Sequence, residues 1–514
     1  MDLYLSHEKI RLAKNVLTTS LTQEETIEMI VPDALPDILR VIDTDATLLV
    51  RSKDTDAGRV SVSGVAAVTV LYCPEDAPGV RKMTVEIPFT VAAADSEVLQ
   101  TSKVVSRVSL ISADAVIVNP RKFIARIDIL AEISCYNDVE LAFCADIDAA
   151  ADSGIELLHD SFMVNSPVDV KEKSFVISDN VSLPGTAPAI GELLKTRVRL
   201  MADEAKVVGN KVIFRGRTNF SLLYNSDDAD ELCSADLSSE FSQIMELETM
   251  SGDGEFDIVL MLTGAYFQSD NMDGSDNRTL NAELHVVAQC VAAEMKSVSY
   301  ISDAYSTKFE LTHEAEMLEI ESKSGATRQS AVIRGTLETD SGIARIVSID
   351  ASPGIVEYAI EGSDIAVRCS IYVNCVYECD DGQIMAISGR FEADSTIDEY
   401  SKNHKYAVTA ECTGEIYGTV AGNGIELRVP VDFVITESVA DSINPISAMS
   451  YDDAATLDTS KLPSLMISRV GGEDTLWRLA KRHYSTTELI LSANGLEDEN
   501  DISSQQMLII PKKR

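Results

Sequence analysis

The sequence predicts a mainly β protein: three tandem antiparallel β-rich domains, each a sandwich or open barrel, followed by a small C-terminal βααβ domain. Three observations point to it. Long segments alternate apolar and polar residues with a period of two, similar segments return at a near-constant offset, and few helical stripes precede the last fifty residues. Period two puts apolar side chains on one face of a pleated strand. An offset of about 150 residues indicates tandem domains, because solenoid units are shorter.

The clearest alternation runs from Lys211 to Tyr224. Val212, Phe214, Phe220, Leu222 and Tyr224 share one parity; Lys211, Arg215, Arg217, Asn219 and Ser221 share the other. Gly216 interrupts this strand, as a bulge or bend would. Val60, Val62, Val68, Val70 and Tyr72 form the same pattern earlier, and Phe123 to Tyr136, Leu280 to Val291 and Tyr406 to Tyr417 alternate likewise. Pro32, Pro36, Ile38, Gly64, Tyr72 and Phe89 recur as Pro184, Pro188, Ile190, Gly216, Tyr224 and Phe241. A third copy is fainter: Ile38-Leu-Arg-Val-Ile is similar to Ile343-Ala-Arg-Ile-Val, and Tyr72 falls on Tyr377, without the paired prolines. Prolines at the start of the first two copies exclude a helix interior there. The domains are expected at 1–165, 166–300 and 301–445, with joints near residues 165 and 300. A polar stretch rich in Asp, Ser and Thr, 446–464, is expected to tether the last domain, 465–514.

In that last domain Leu465, Ile467 and Val470 make a short apolar edge. Asp474-Thr475 offers a side-chain oxygen to cap a helix in which Leu476, Leu479 and Ala480 form a buried stripe. Ser485 with Glu488 fits a capping box for a second helix, with Leu489, Ile490 and Ala493 inward. Asn494-Gly495 stops it, and Met507 to Ile510 is a closing strand before Pro511. The segments Asp474-Thr-Leu-Trp477, Asn494-Gly-Leu and Leu508-Ile-Ile-Pro511 resemble a LysM module, a family that binds N-acetylglucosamine chains of peptidoglycan or chitin. Two positions depart from that pattern. Glu473 stands where the family has Gly before Asp-Thr, and Ser504-Gln505-Gln506 replaces Pro-Gly-Gln before the last strand. Glycine in those loops lets backbone approach a ligand, so the substitutions narrow the sugar groove unless Gly471-Gly472 shifts the turn by one residue. The resemblance implies a binding surface made of Gly472, Glu473, Asp474, Thr475, Trp477, Arg478, Lys481, Arg482, Asn494, Ile502 and Gln505, for glycan or for protein.

Net charge is −40, and it is uneven. From Leu465 onward seven basic residues balance seven acidic ones, so the whole excess lies upstream. A body this acidic disfavours nucleic acid and anionic membranes, since binding phosphate needs cations. The start of the chain lacks a signal-peptide apolar run and no stretch of about twenty apolar residues occurs, so no transmembrane segment and a cytoplasmic location are expected. Nine cysteines show no disulfide framework.

The Pro-Asp-x-x-Pro-Asp-Ile-x-x-Val start at Pro32 to Val41 and the Gly64-to-Tyr72 strand resemble the repeated domain of SipL-like proteins of spore-forming Clostridia, called SPOCS or DUF3794. Three such copies followed by LysM is that family's architecture. The resemblance implies spore envelope assembly in the mother-cell cytoplasm, at the forespore surface. There the LysM module acts as an adaptor for a coat morphogenetic partner, the ATPase SpoIVA. A cell-wall or phage-derived peptidoglycan-binding protein is the alternative.

No enzymatic constellation, metal or cofactor is expected. Cys369, Cys375 and Cys379 share the parity of an apolar strand face, where free cysteine acts as a small hydrophobe. Six dispersed histidines show no ligand spacing. Asp33 and Asp37 form a carboxylate pair that the second copy replaces by Gly185 and Ala189, and a turn-forming Asp beside Pro explains it best. Trp477, the only tryptophan, is placed either to stack on a ligand or to seal the small core. Arg478, Lys481 and Arg482 make one basic helix face, either solvated or docked on an acidic surface.

Overall fold

Four of the five alternating segments are the middle strands of three-stranded antiparallel sheets. The computed structural model describes residues 3–77, 79–148, 154–227, 231–248, 254–269, 277–397, 401, 404–457, 463–499 and 501–512. In the first unit, β1 (Tyr4–Ile30), β2 (Ile38–Asp56), β3 (Arg59–Pro74), β4 (Arg81–Ala94), β5 (Lys103–Asn119) and β6 (Lys122–Asp148) form two sheets of order β2-β3-β4 and β1-β6-β5. Their inner faces share one core, where Val60, Val62, Val68 and Val70 of β3 join Ile127, Ile129 and Ile133 of β6. The second unit repeats the plan with β7 (Ile155–Ser182), β8 (Ile190–Val208), β9 (Lys211–Ser226), β10 (Leu232–Glu246), β11 (Gly254–Ser269) and β12 (Thr279–Ser306), in sheets β8-β9-β10 and β7-β12-β11.

After β13 (Phe309–Ala315), the third unit contains β14 (Leu318–Glu338), β15 (Ile343–Glu361), β16 (Asp364–Cys379), β17 (Ile384–Ile397), β18 (His404–Cys412), β19 (Tyr417–Ala421) and β20 (Gly424–Ile443). Its sheets are β15-β16-β17 and β14-β20-β18. The alternation expected from Tyr406 to Tyr417 is one strand broken in two, since β18 ends at Cys412 and β19 pairs separately with β20. Cys369, Cys375 and Cys379 lie in this unit's core, and burial pushes the Cys369 and Cys375 thiols up to about 12. Each unit is therefore a sandwich of two sheets.

The recurring residues have specific tasks. The Tyr72 hydroxyl donates to the Pro36 carbonyl at 3.4 Å, and Tyr224 does the same to Pro188 at 3.0 Å. The third copy lacks the prolines, and there Tyr377 is 2.8 Å from the Thr339 hydroxyl instead. The ring of Phe89 sits against Gly64 and that of Phe241 against Gly216. A Cβ on either glycine would come within 2.6 Å and 2.5 Å of the ring. The bulge expected at Gly216 sits on the neighbouring strand, between Ala202 and Glu204 of β8, where Gly216 makes room for it. Asp33 and Asp37 are turn residues: both pair with Arg121, at 3.1 and 3.0 Å, which also donates to the Val31 and Leu35 carbonyls.

The unit joints differ from the expected ones. β7 runs unbroken through residue 165 and β12 through residue 300, paired with each other over their whole lengths. The chain passes between units after β6 ends at Asp148 and after β12 ends at Ser306. Strands of 28 residues hide a joint because alternation continues across it. The stretch 446–464 is not a plain tether either. β21 (Ile446–Thr456) pairs with β13, and Ile446 and Met449 are buried against Ile301 and Ala304. Residues 458–462 of that stretch lie outside the described residues.

The three units meet at a junction built from equivalent positions. Ile42, Leu194 and Val347, together with Leu71, Leu223 and Val376, form one buried cluster with Val80 and Leu232. Beside it stand five charges. Lys195 donates to Asp43 at 2.6 Å and Asp350 at 2.8 Å. Arg197 grips Asp45 with two nitrogens, at 2.7 and 3.2 Å, and approaches Asp350 at 3.4 Å. Asn374 of the third unit donates to the free oxygen of Asp43. Lys195, Asp43 and Asp45 are buried. Burial alone would lower the Lys195 pKa, but Asp350 and Asp43 override it and hold it above the ordinary lysine value. Replacing Lys195 by Met leaves Asp43 and Asp350 buried without their cation. The urea midpoint of Lys195→Met is expected to report a loss of about 3–5 kcal/mol.

Candidate functional site

The C-terminal module consists of β22 (Leu465–Arg469), α1 (Leu476–His483), α2 (Thr487–Asn494) and β23 (Met507–Pro511), with β22 and β23 paired antiparallel. Leu476, Leu479 and Ala480 are buried as the stripe predicted, and they pack with Val470, Ile490, Leu508 and Ile510. The expected apolar edge is divided. Leu465 and Ile467 face outward, 56% and 64% exposed, because their partners Pro511 and Ile509 are on the side of the hairpin away from the helices.

Thr475 caps α1, its hydroxyl accepting from the Arg478 N–H at 3.2 Å. The second cap is Thr486, not Ser485: Thr486 accepts from the Leu489 N–H, whereas Ser485 is buried and donates to the Pro511 carbonyl at 2.5 Å. That shift of one residue leaves Ala493 exposed instead of inward. Gly495 closes α2 in the left-handed region at φ 63°.

The structure separates the predicted surface residues into three groups. Gly472 and Glu473 are exposed in the loop before α1, and Gln505 is exposed in the loop before β23. Gln505 has φ 74°, a conformation suited to glycine, so the substitution noted in the sequence is strained. Asp474, Arg478, Arg482 and Asn494 serve the module itself. Asp474 accepts from the Gly471 N–H at 2.9 Å and from Arg482 at 2.7 Å; Arg482 foremost, then Gly471, holds its carboxyl below the usual range. Arg478 donates to the Glu473 carbonyl. Asn494 donates to the Ile490 and Ile509 carbonyls and accepts from the Ile509 N–H, each at 2.7 Å, stitching α2 to β23. Ile502 is half-buried against the module core.

Trp477 and Lys481 form the third group, and they face the body. The Trp477 indole N–H donates to Asp303 of β12 at 2.8 Å, and the Lys481 ammonium donates to the other oxygen of that carboxylate at 2.5 Å. Tyr305, two residues on, meets the Trp477 ring edge-on with centroids 4.9 Å apart and donates its hydroxyl to the Ser485 carbonyl at 2.8 Å. His313 Nε2 lies 3.4 Å from Asp303. Burial pushes Asp303 up, but hydrogen bonds from Lys481 and Trp477 outweigh it and leave the carboxyl below its ordinary value. Sequence reasoning missed Asp303, which stands in a long strand among 83 acidic residues with no motif around it. The junction charges did carry a signal: the repeat offset maps Asp43 onto Lys195 and Asp45 onto Arg197, a reversal of sign at equivalent positions.

A cavity of about 1920 Å³ lies between the three units, lined by β5, β11 and β18 among other strands. Two of the cations that line it are paired: Arg107 with Glu132 and Glu411, and Arg197 with Asp45 and Asp350. Among the described residues no group of three His, Cys, Asp or Glu side chains is placed to hold a metal, and no helix is long and apolar enough to cross a membrane.

Tandem sandwiches that end in a docked βααβ module define a multidomain protein built from binding modules. The family model for the SipL, SPOCS domain matches residues 37–118 and 189–265, and that for the LysM domain matches 469–511. The chain thus carries two segments similar to the SipL, SPOCS domain and, behind them, a LysM domain. Both families are non-catalytic binding modules, and the set is that of a sporulation-related protein carrying a module of the peptidoglycan-binding type. No curated protein and no solved structure matches the chain.

Two outcomes are expected. Gln505→Gly relieves the left-handed strain and stabilises the module by about 1 kcal/mol, read from thermal melts followed at Trp477. The stability difference between the chain and Asp303→Asn is constant above about pH 4, the ordinary carboxyl pKa. Because the folded Asp303 pKa is depressed, that difference disappears as pH falls through the folded value, in paired urea titrations.

Proposed function

We propose that the protein is a non-enzymatic scaffold of spore envelope assembly, working in the mother-cell cytoplasm at the forespore surface. In this reading the three acidic sandwiches form one rigid body, and the LysM module recruits a coat morphogenetic protein, a SpoIVA-like ATPase. The observation that carries it is the combination of SPOCS copies with a LysM module whose sugar-groove loops hold Glu473 and Gln505 in place of glycine. A carboxylate and a strained amide at the groove suit protein contact better than close approach of a sugar ring.

The second reading is binding to peptidoglycan or an N-acetylglucosamine oligomer. It draws on the exposure of both groove loops, Gly471 to Glu473 and Ser503 to Gln505, with the module docked. A fluorescent fusion of the full chain tests the first reading, which expects a ring around the developing forespore; labelling of the vegetative wall would overturn it. Sedimentation with purified peptidoglycan tests the second. If sugar binding is retained, the full chain co-sediments and Glu473→Gly increases the bound fraction; if the groove is closed, neither form sediments.

A further inference from the structure

Among the described residues, the side-chain hydrogen bonds from α1 of the LysM module to the body converge on one carboxylate. Asp303 takes an indole N–H and an ammonium on its two oxygens, and its Oδ1 also accepts the Ala304 N–H. Tyr305 adds an edge-on ring and one hydroxyl bond, and half-buried Leu158 packs at the margin. The two other cations of α1 take no part, since Arg478 and Arg482 bond within the module.

We propose that this contact is a latch, and that the α1 face bearing Trp477 and Lys481 has two mutually exclusive occupants. One is the Asp303–Tyr305 pair of the body. The other is a partner protein that presents a carboxylate beside an aromatic ring, and its access requires the module to leave the body. The identity of the second occupant as a protein rests on the adaptor reading above; the latch itself does not.

The chemistry explains why the two compete. An indole N–H and an ammonium aimed at one point specify a carboxylate, and the flank of the indole accommodates a ring. Any protein segment with an Asp or Glu next to a Tyr or Phe satisfies the same donors that Asp303 now satisfies. The closed state therefore lowers the partner's apparent affinity by the fraction of molecules that are open. The exposed loops Gly471 to Glu473 and Ser503 to Gln505 lie outside the contact. A glycan seated on those loops binds without opening the latch, and a partner on α1 does not.

The sole tryptophan lies in the contact, so its emission reports the latch directly. In the full chain, Trp477 is expected to emit as a buried indole and to resist acrylamide quenching. Asp303→Ala should shift the emission to the red and raise the quenching constant at least twofold, with the β-sheet circular dichroism unchanged. Asp303→Asn, which keeps an oxygen acceptor for the indole N–H but removes the charge facing Lys481, should move both readings less than Asp303→Ala does. Unchanged emission in Asp303→Ala would overturn the latch.

A labelled peptide with the sequence of Val298–Ser306, which carries the body's own Asp and Tyr, serves as the partner probe. It should bind Asp303→Ala at least about tenfold more tightly than the parent chain. An N-acetylglucosamine hexamer should show the same affinity, or the same absence of binding, for both. If the module opens but gains no affinity for the peptide, the latch stands and α1 as a protein-docking face is overturned.

Discussion

Five charged side chains, drawn from three sandwich units, fix how those units sit together. Lys195 and Arg197 come from the second unit, Asp43 and Asp45 from the first, and Asp350 from the third. Removing such charges from water costs several kcal/mol per ion, and only near-complete pairing offsets it. Here every ion has an opposite charge within 3.4 Å, and the apolar cluster around Leu71, Leu223 and Val376 stands beside Lys195 and Asp43, both buried. The network sets order as well as contact. A second copy of the first unit in place of the middle one would bring Asp against Asp, because Asp43 and Asp45 occupy the positions of Lys195 and Arg197. Three related sandwiches thus have one arrangement in which each of these five ions faces an opposite charge.

The same junction shows what the sequence discloses and what it conceals. Alternation placed four of its five segments on single strands, and the recurrent Pro, Tyr, Gly and Phe correspond to real contacts: Tyr72 with Pro36, and Phe89 against Gly64. Leu71, Leu223 and Val376 break the alternation just before each recurring tyrosine, where both faces of the strand are buried. That break is a local mark of an interface between units. The joints left no mark, because β7 and β12 carry one alternating pattern past residues 165 and 300. Loss of the prolines blurred the third copy, yet Tyr377 keeps its hydrogen bond by taking Thr339.

In the module, legibility followed the range of each interaction. Caps and stops depend on neighbours three or four residues away, so Thr475 and Gly495 were readable and the second cap was misplaced by a single residue. The strain at Gln505 was visible only as a departure from the family's glycine, and its φ of 74° gives that departure a physical meaning. Asp303 and Tyr305 are about 175 residues from the side chains they hold. Nothing local distinguishes them, and only the basic face of α1 hinted that an acidic surface was needed.

Charge distribution links the body to the module. The body carries the whole negative excess, while the module is balanced and turns one of its cations toward the body. At an ionic strength of about 0.15 M, screening confines attraction between such surfaces to roughly 8 Å. General acidity therefore draws the module near without fixing its orientation; the indole bond and the Tyr305 ring do that. A contact with one carboxylate at its centre holds a single geometry yet involves few side chains. This combination leaves the groove loops exposed and makes the two faces of the module separable by mutation, one governed by Glu473 and Gln505, the other by Asp303.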